Sequence, residues 1–196
     1  ERIIEFGKLD QENLDQGKFE PEENWPSLGD INFKDVCLYY NISDEPVLKN
    51  LTFKINGGEK IGIVGRTGAG KSSIITTLFR LMQPTGTIEI DGIDTEEISL
   101  ACLRKQLSII PQEPVLFSGN IRRNLDPFNE KSDEEIWNAI KKVELKSKIS
   151  SLDSLVSECG NDFSVGQKQL ICMARAILRK NRILILDEAT ANVDPR

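Results

Sequence analysis

Residues 65–72 read Gly-Arg-Thr-Gly-Ala-Gly-Lys-Ser, which matches the pattern G-x-x-x-x-G-K-[ST] of a phosphate-binding loop. The apolar run Ile61–Val64 before it predicts a short strand buried on both faces, and residues 73–82 after it carry apolar side chains at helical spacing. The glycines let successive backbone N–H groups point at phosphate oxygens. A chance match is expected in about one chain in a hundred of this length. The sequence therefore predicts a nucleoside triphosphate site.

The loop residues have separate predicted roles toward a bound nucleotide. Lys71 can reach the outer phosphates, and the Ser72 hydroxyl can ligate Mg²⁺. The N-terminus of the following helix adds its partial positive charge. We assign nucleotide binding to the whole stretch: Gly65, Arg66, Thr67, Gly68, Ala69, Gly70, Lys71, Ser72 and Ser73.

A second acidic motif lies near the end of the chain. The apolar run Ile183–Leu186 predicts a strand, and Asp187 and Glu188 follow it directly, which is a Walker B arrangement. Asp187 would hold Mg²⁺ through its water shell, and Glu188 would act as general base on the attacking water. Two adjacent acids at a strand end are also common in turns, so it is the phosphate loop upstream that makes this motif specific.

Gln112 is a third candidate ligand-binding residue. It follows the predicted strand 107–110 and lies between Pro111 and Pro114. A side chain placed at a strand end between two prolines is more often directed at a ligand than packed in a core.

The remaining patterns predict an α/β fold. Leu51, Phe53 and Ile55 alternate with polar residues, which predicts half-buried antiparallel sheet in residues 31–55. Residues 115–160 are expected to be mostly helical, with a capping box at Ser132. Ser164 with Gln167 is a second possible capping box. We expect a P-loop core sheet, a small antiparallel β portion and a helical subdomain at about residues 115–165.

Charge and composition exclude several classes of protein. The net charge of −6 resides in residues 1–30, which carry nine acids and three bases, while the remainder has 22 of each. The rest of the chain therefore has no excess of basic residues of the kind that binds nucleic acid. The four cysteines form no C-x-x-C pair, and no apolar run approaches the roughly 20 residues of a membrane helix. Residues 7–30 are expected to be a linker, in which Trp25 either tacks the segment to the domain surface or is solvated.

Taken together, these motifs resemble the nucleotide-binding domain of an ATP-binding-cassette (ABC) transporter over residues 31–196. Beyond the phosphate-binding loop (Walker A) and the Walker B residues, the resemblance rests on the signature Phe163-Ser164-Val165-Gly166-Gln167 and the D-loop at residues 191–194. The signature is the specific part, because other phosphate-loop ATPases lack it. Within the ABC family, the chain is similar to the second nucleotide-binding domain of subfamily C, the multidrug-resistance-associated proteins. The segments that carry this similarity are PQEPVLFSG, NLDPFNE and ILDEATANVDP.

The resemblance implies an ATPase that powers export of organic anions or other small molecules. It implies that Tyr40 is the base-stacking aromatic, that Glu188 is catalytic, and that ATP and Mg²⁺ are the cofactors. The implied Mg²⁺ ligands are Ser72, Gln112 and Asp187, and Gln112 also belongs to the ATP site. The residues implied to contact the ATP of the partner domain are Ser164, Val165, Gly166 and Gln167.

The resemblance also implies a domain organisation. Residues 1–30 would be the end of a transmembrane region and an acidic linker, and residues 31–196 the nucleotide-binding domain, on the cytoplasmic side of a membrane. Its partners would be the first nucleotide-binding domain and the transmembrane domains of the same transporter. The exported molecule would bind elsewhere, and no nucleic acid is implied.

Three departures from the family pattern modify these expectations. Val165 replaces the second signature glycine, which in this family marks the second domain. Residues 150–155 are shorter than the family's equivalent stretch. The chain has no histidine, so the switch histidine expected after the D-loop is missing and we expect a C-terminally truncated domain that hydrolyses ATP negligibly alone.

Two other functions fit part of the pattern. A soluble ABC ATPase acting on chromosomes or ribosomes would carry coiled-coil or basic insertions, which this sequence lacks. A nucleotide-sensing regulatory module would bind without hydrolysis, and Glu188 argues against it. A guanine-nucleotide switch is disfavoured because no N-K-x-D motif follows the loop.

Overall fold

The computed structural model describes residues 12, 17, 19–41, 45–157 and 160–188. The chain forms two compact units, residues 1–106 and residues 107–196. Each unit is described by itself below.

The first unit is built on a four-stranded antiparallel sheet. Its strands, in the spatial order β2-β1-β3-β4, are β1 (Ile31–Leu38), β2 (Leu48–Ile55), β3 (Thr85–Ile90) and β4 (Ile93–Asp94). Phe33 on β1 stacks on Phe53 on β2 with ring centroids 4.5 Å apart. The antiparallel pairing of β1 with β2, with partly buried residues alternating with exposed ones along residues 51–55, confirms the half-buried antiparallel sheet predicted from the spacing of its apolar residues.

Two helices complete the first unit: α1 (Lys71–Leu78) and α2 (Leu100–Gln106). The apolar periodicity predicted that α1 would continue to residue 82, but it stops four residues earlier. Arg80 adopts a left-handed conformation with φ of 47°, which a continuing α-helix does not allow. The Arg104 guanidinium then binds the carbonyl oxygens of Phe79 at 2.9 Å and Arg80 at 2.9 Å, which satisfies groups that the ended helix leaves free.

The predicted buried strand at Ile61–Val64 is wrong for this structure. These residues form no strand, and the side chains of Ile61, Ile63 and Val64 are 53%, 47% and 92% exposed. A strand is stable only where a neighbour accepts its N–H groups and donates to its carbonyls. No strand within the described ranges pairs with this segment. Apolar composition alone therefore did not determine the structure of this segment, because a strand also needs a partner.

The polar segment before β1 is attached to the sheet of the first unit. The indole of Trp25 is buried, and its Nε1 donates to the Ile90 carbonyl at 3.1 Å. The carboxylate of Asp91 accepts the backbone N–H groups of Leu28, Gly29 and Asp30 at 2.7–2.9 Å. Of the two alternatives for Trp25, the structure therefore supports attachment over solvation.

The second unit contains a parallel pair of strands. β5 (Leu107–Ile110) pairs with β8 (Ile183–Leu186), and both strands lie where the sequence predicted them. The helix before β8 (α5, Val165–Arg179) packs on β5 through Cys172 and Ala176, which contact Ile110. Because the strands are parallel, their carboxyl ends lie at the same edge of this small sheet.

The rest of the second unit contains short elements around a large apolar cluster. These are α3 (Ile121–Leu125), α4 (Asp133–Lys142), and the antiparallel pair β6 (Gly119–Asn120) and β7 (Leu155–Val156). Helix content is lower than predicted, since turns and irregular segments fill most of residues 143–157. Their side chains still reach the core: Leu145, Ile149 and Leu152 join the cluster formed by α3, α4 and α5.

Both predicted capping boxes are present in the second unit. Ser132 caps α4 and accepts from the Glu135 backbone N–H at 3.3 Å, while the Glu135 carboxylate accepts from the Ser132 N–H at 3.2 Å. Three acidic residues in the first turn and two lysines in the last complement the helix dipole. In the described parts of the chain, no helix has the length and hydrophobicity needed to cross a membrane.

Candidate functional site

The phosphate loop turns through two glycines in the left-handed region. Gly68 has φ of +80° and Gly70 has φ of +88°, a conformation that other residues rarely adopt. A Cβ on Gly70 would also lie 3.2 Å from the Leu48 side chain. Gly70 is the N-cap of α1, so the first amides of that helix lack acceptors within it and open toward the loop. The glycine spacing thus produces a tight turn that leads into a helix N-terminus, a combination found at anion sites.

Lys71 occupies the mouth of this loop. Its Nζ donates to the carbonyl oxygens of Gly65 at 3.0 Å and Arg66 at 3.3 Å. These contacts hold the ammonium over the loop while leaving it partly accessible to solvent. An anion entering the loop can replace the two carbonyls as its acceptor, because a charged oxygen forms the stronger hydrogen bond with an ammonium.

Tyr40 lies beside the same helix. It follows β1, is 48% exposed, and its hydroxyl lies 3.2 Å from the Ser73 hydroxyl. Ser73 is on the first turn of α1 and is 6% exposed. Of the two tyrosines in the chain, Tyr40 is therefore the one that the structure brings into contact with the helix of the phosphate loop.

In the second unit, the edge where β5 and β8 end gathers the other candidate residues. The Asp187 N–H donates to the Ile110 carbonyl at 3.0 Å, which extends the parallel ladder by one residue. Beyond it, the Gln112 amide Nε2 donates to Glu188 Oε2 at 2.8 Å. Glu188 has a left-handed backbone, with φ of 48°. The sequence placed these side chains at strand ends, and the parallel pairing brings two of them into direct contact.

The signature residues form the start of α5. Ser164 is its N-cap and accepts from the Gln167 N–H at 3.2 Å, while Gln167 Oε1 accepts from the Ser164 N–H at 3.0 Å. Val165 is the first helical residue and is 50% exposed, and Gly166 follows it. The D-loop at residues 191–194 lies outside the described residues.

The family model described as "ABC transporter" matches residues 48–191, a stretch that includes the phosphate loop, the signature and the acidic pair. The chain belongs to the ABC transporter family. Its mixed α/β architecture is that of the ABC ATPase fold.

The similar proteins of this ABC transporter domain include members of subfamily C. It is 57% identical over 200 residues to "ATP-binding cassette sub-family C member 4" of Homo sapiens and 56% identical to the protein of the same name from Mus musculus. It is 53% identical over 204 residues to "Probable multidrug resistance-associated protein lethal(2)03659" of Drosophila melanogaster. All of this chain is covered in each comparison, but it spans 15% of the length of these relatives.

Arg175, on α5, is a structurally important residue that the sequence did not single out. Its guanidinium donates to the Val115 carbonyl at 2.9 Å, and to the carbonyl and side-chain oxygen of Asn124. It also lies 5.9 Å from the ring centroid of Phe117. Burial lowers the pKa of this guanidinium below its ordinary value. An arginine flanked by apolar residues in a helix was the available signal, but its partners depend on tertiary structure.

The donor groups of this ABC transporter domain fit a magnesium nucleotide in their chemistry. Hydroxyl, amide and carboxylate oxygens, as on Ser72, Gln112 and Asp187, are the ligands that Mg²⁺ prefers. Among the residues that the structure describes, no cluster of three or more histidine, cysteine, aspartate or glutamate side chains forms an all-protein metal site.

Proposed function

We propose that this chain is the second nucleotide-binding domain of a subfamily C exporter and that it binds and hydrolyses Mg-ATP. The identities of 53–57% to subfamily C and multidrug resistance-associated proteins support the subfamily. Val165 in the signature supports the second position within the transporter.

The observation that carries the proposal is the phosphate loop with its lysine. The stretch Gly65–Ser73 would surround the phosphates, with its free backbone N–H groups as donors, and Lys71 would exchange its two carbonyl partners for phosphate oxygens. Tyr40 would provide a face for the base. Ser72, Gln112 and Asp187 would hold Mg²⁺, which when bound neutralises charge on the outer phosphates.

Glu188 would be the catalytic residue, as acceptor of the proton from the attacking water. Its Oε2 atom already accepts from Gln112, which orients the carboxylate and leaves Oε1 for the water. Positioning and charge stabilisation account for most of the catalysis in phosphoryl transfer, so a base held in one orientation contributes directly. Ser164, Val165, Gly166 and Gln167 would contact the nucleotide bound by the partner domain.

The proposal also extends to the larger protein. Its first nucleotide-binding domain and transmembrane domains would be the partners of this chain, which would lie on the cytoplasmic side of the membrane. Residues 1–30 would connect the two regions. The exported molecules would be organic anions or other small molecules bound in the transmembrane part, and no nucleic acid would be involved.

The test is ATP titration of the full-length protein that contains this chain. Replacement of Lys71 by alanine should weaken ATP binding at this site by about 2–4 kcal/mol, because a charge-assisted contact to phosphate is lost. Lys60→Ala, which removes an exposed lysine upstream of the loop, is the matched control. If Lys71→Ala binds ATP as tightly as Lys60→Ala does, the loop is not a nucleotide site.

A further inference from the structure

We infer that Ser73 is a positioning residue for Tyr40: the hydrogen bond between their hydroxyls holds the aromatic ring where the base of a bound nucleotide would contact it. The inference rests on the proposed function, since it concerns the same ATP site. It assigns Ser73 a role toward the base, through Tyr40, in addition to its membership of the phosphate loop.

The two residues differ in how firmly the fold holds them. Ser73 is buried and lies on the first turn of α1, where its N–H bonds to the Gly70 carbonyl at 3.1 Å. Tyr40 lies two residues beyond the end of β1 and is 48% exposed. A half-exposed tyrosine after a strand can adopt several rotamers. The bond of 3.2 Å to a buried hydroxyl selects one of them.

The position of the bond also links the ring to the phosphate loop. Gly70, Lys71 and Ser72 immediately precede Ser73, so the partner of the tyrosine is fixed to the same helix turn that would receive the phosphates. A nucleobase is tethered to its phosphates by one ribose, and a flat aromatic face near the loop suits it. Stacking of a base on an aromatic side chain is worth about 1–3 kcal/mol.

Binding becomes weaker when side chains must be ordered at the moment of association. If Ser73 already holds the Tyr40 ring in one rotamer, ordering that side chain costs no further free energy when the nucleotide binds. Without the hydrogen bond, the ring must be ordered during binding. The hydroxyl bond should therefore improve affinity for ligands that contain a base. It should not affect ligands that consist of phosphates alone.

The experiment uses the full-length protein and two probes, ATP and inorganic tripolyphosphate. The site is identified as the one whose binding is weakened by Lys71→Ala. Three variants are compared with the parent: Tyr40→Phe, Ser73→Ala, and the double variant. Tyr39→Phe is the matched control, because it removes the hydroxyl from the neighbouring tyrosine.

Tyr40→Phe should weaken ATP binding by about 2- to 10-fold, the usual effect of one hydrogen bond, and should leave tripolyphosphate binding unchanged. Tyr40→Phe and Ser73→Ala break the same hydrogen bond. The double variant should therefore bind ATP no more weakly than whichever of these two single variants has the lower affinity for ATP. Tyr39→Phe should bind both probes like the parent.

Three results would overturn the inference: unchanged ATP binding by Tyr40→Phe, equal losses for ATP and tripolyphosphate in that variant, or additive losses in the double variant. A purely structural role of the bond would weaken both probes together. If no ATP binding depends on Lys71, the proposed function fails instead, and the two failures are thus distinguishable.

Discussion

The amide nitrogen of Gln112 lies 2.8 Å from the Glu188 carboxylate, at the edge where the two parallel strands of the second unit end. The bond is charge-assisted, because an amide N–H donates to an ionised acceptor. The proposed general base is thus held by a residue that follows the other strand, β5. The orientation of Glu188 is therefore set by tertiary pairing as well as by its own strand.

Replacement of Glu188 by glutamine should preserve ATP binding and nearly abolish ATP turnover. The glutamine side chain can still accept a hydrogen bond from Gln112, but a neutral amide cannot take the proton of water. Phosphate release and ATP titration of the full-length protein measure the two effects. Glu113→Gln, at an exposed glutamate next to Gln112, should turn over ATP like the parent. Normal turnover by Glu188→Gln would refute the catalytic assignment.

Truncation of Trp25 should destabilise the first unit. Trp25→Ala removes a buried aromatic side chain and the donor to the Ile90 carbonyl, a loss of about 3–5 kcal/mol. Trp25→Phe keeps most of the packing and should cost about 1–2 kcal/mol. Denaturant unfolding gives both values. Leu28→Ala, on an exposed residue of the same segment, should change the unfolding free energy by less than about 0.5 kcal/mol.

Arg175→Met should destabilise the second unit by about 2–4 kcal/mol. The substitution leaves the carbonyl oxygens of Val115 and Asn124 without their guanidinium donor. Arg179→Met, one turn later at an exposed position of the same helix, is the control and should have little effect. Thermal unfolding distinguishes the two variants. Equal melting temperatures would show that the Arg175 contacts do not contribute to stability.

The capping box of α4 should make stability depend on pH in the acidic range. The backbone N–H of Ser132 and the nearby Lys180 ammonium lower the pKa of Glu135 below its ordinary value of 4.5. A lowered pKa in the folded state means that the carboxylate stabilises the fold above the ordinary value. That contribution is lost as pH falls through the folded-state pKa.

Glu135→Gln should therefore destabilise the protein at pH 7, and the difference from the parent should shrink on acidification. Urea unfolding of both proteins at several pH values measures it. A difference that stays constant below the ordinary glutamate pKa would mean that ionisation of Glu135 does not contribute.

Local signals predicted much of this structure. The capping boxes at Ser132 and Ser164 depend on residues three apart, and both form as the sequence indicated. The glycine spacing of the phosphate loop likewise predicted its turn, because positive φ angles at Gly68 and Gly70 are a property of those residues themselves.

Features that depend on distant residues were not predictable in the same way. The segment Ile61–Val64 has the composition of a buried strand, yet a strand forms only with a partner, and the described residues provide none. The contacts of Arg175 with Val115 and Asn124 span more than fifty residues of sequence, and the bond between Gln112 and Glu188 spans 76. No periodicity within one element encodes such pairs.

The attachment of Trp25 to the first unit gives this domain a built-in optical probe. The chain has two tryptophans, and the other, Trp137, packs against the apolar cluster of the second unit. A Trp137→Phe variant would report the first unit through the emission of the buried Trp25, and a Trp25→Phe variant the second. Intrinsic fluorescence can therefore follow the unfolding of each unit separately, without an added label.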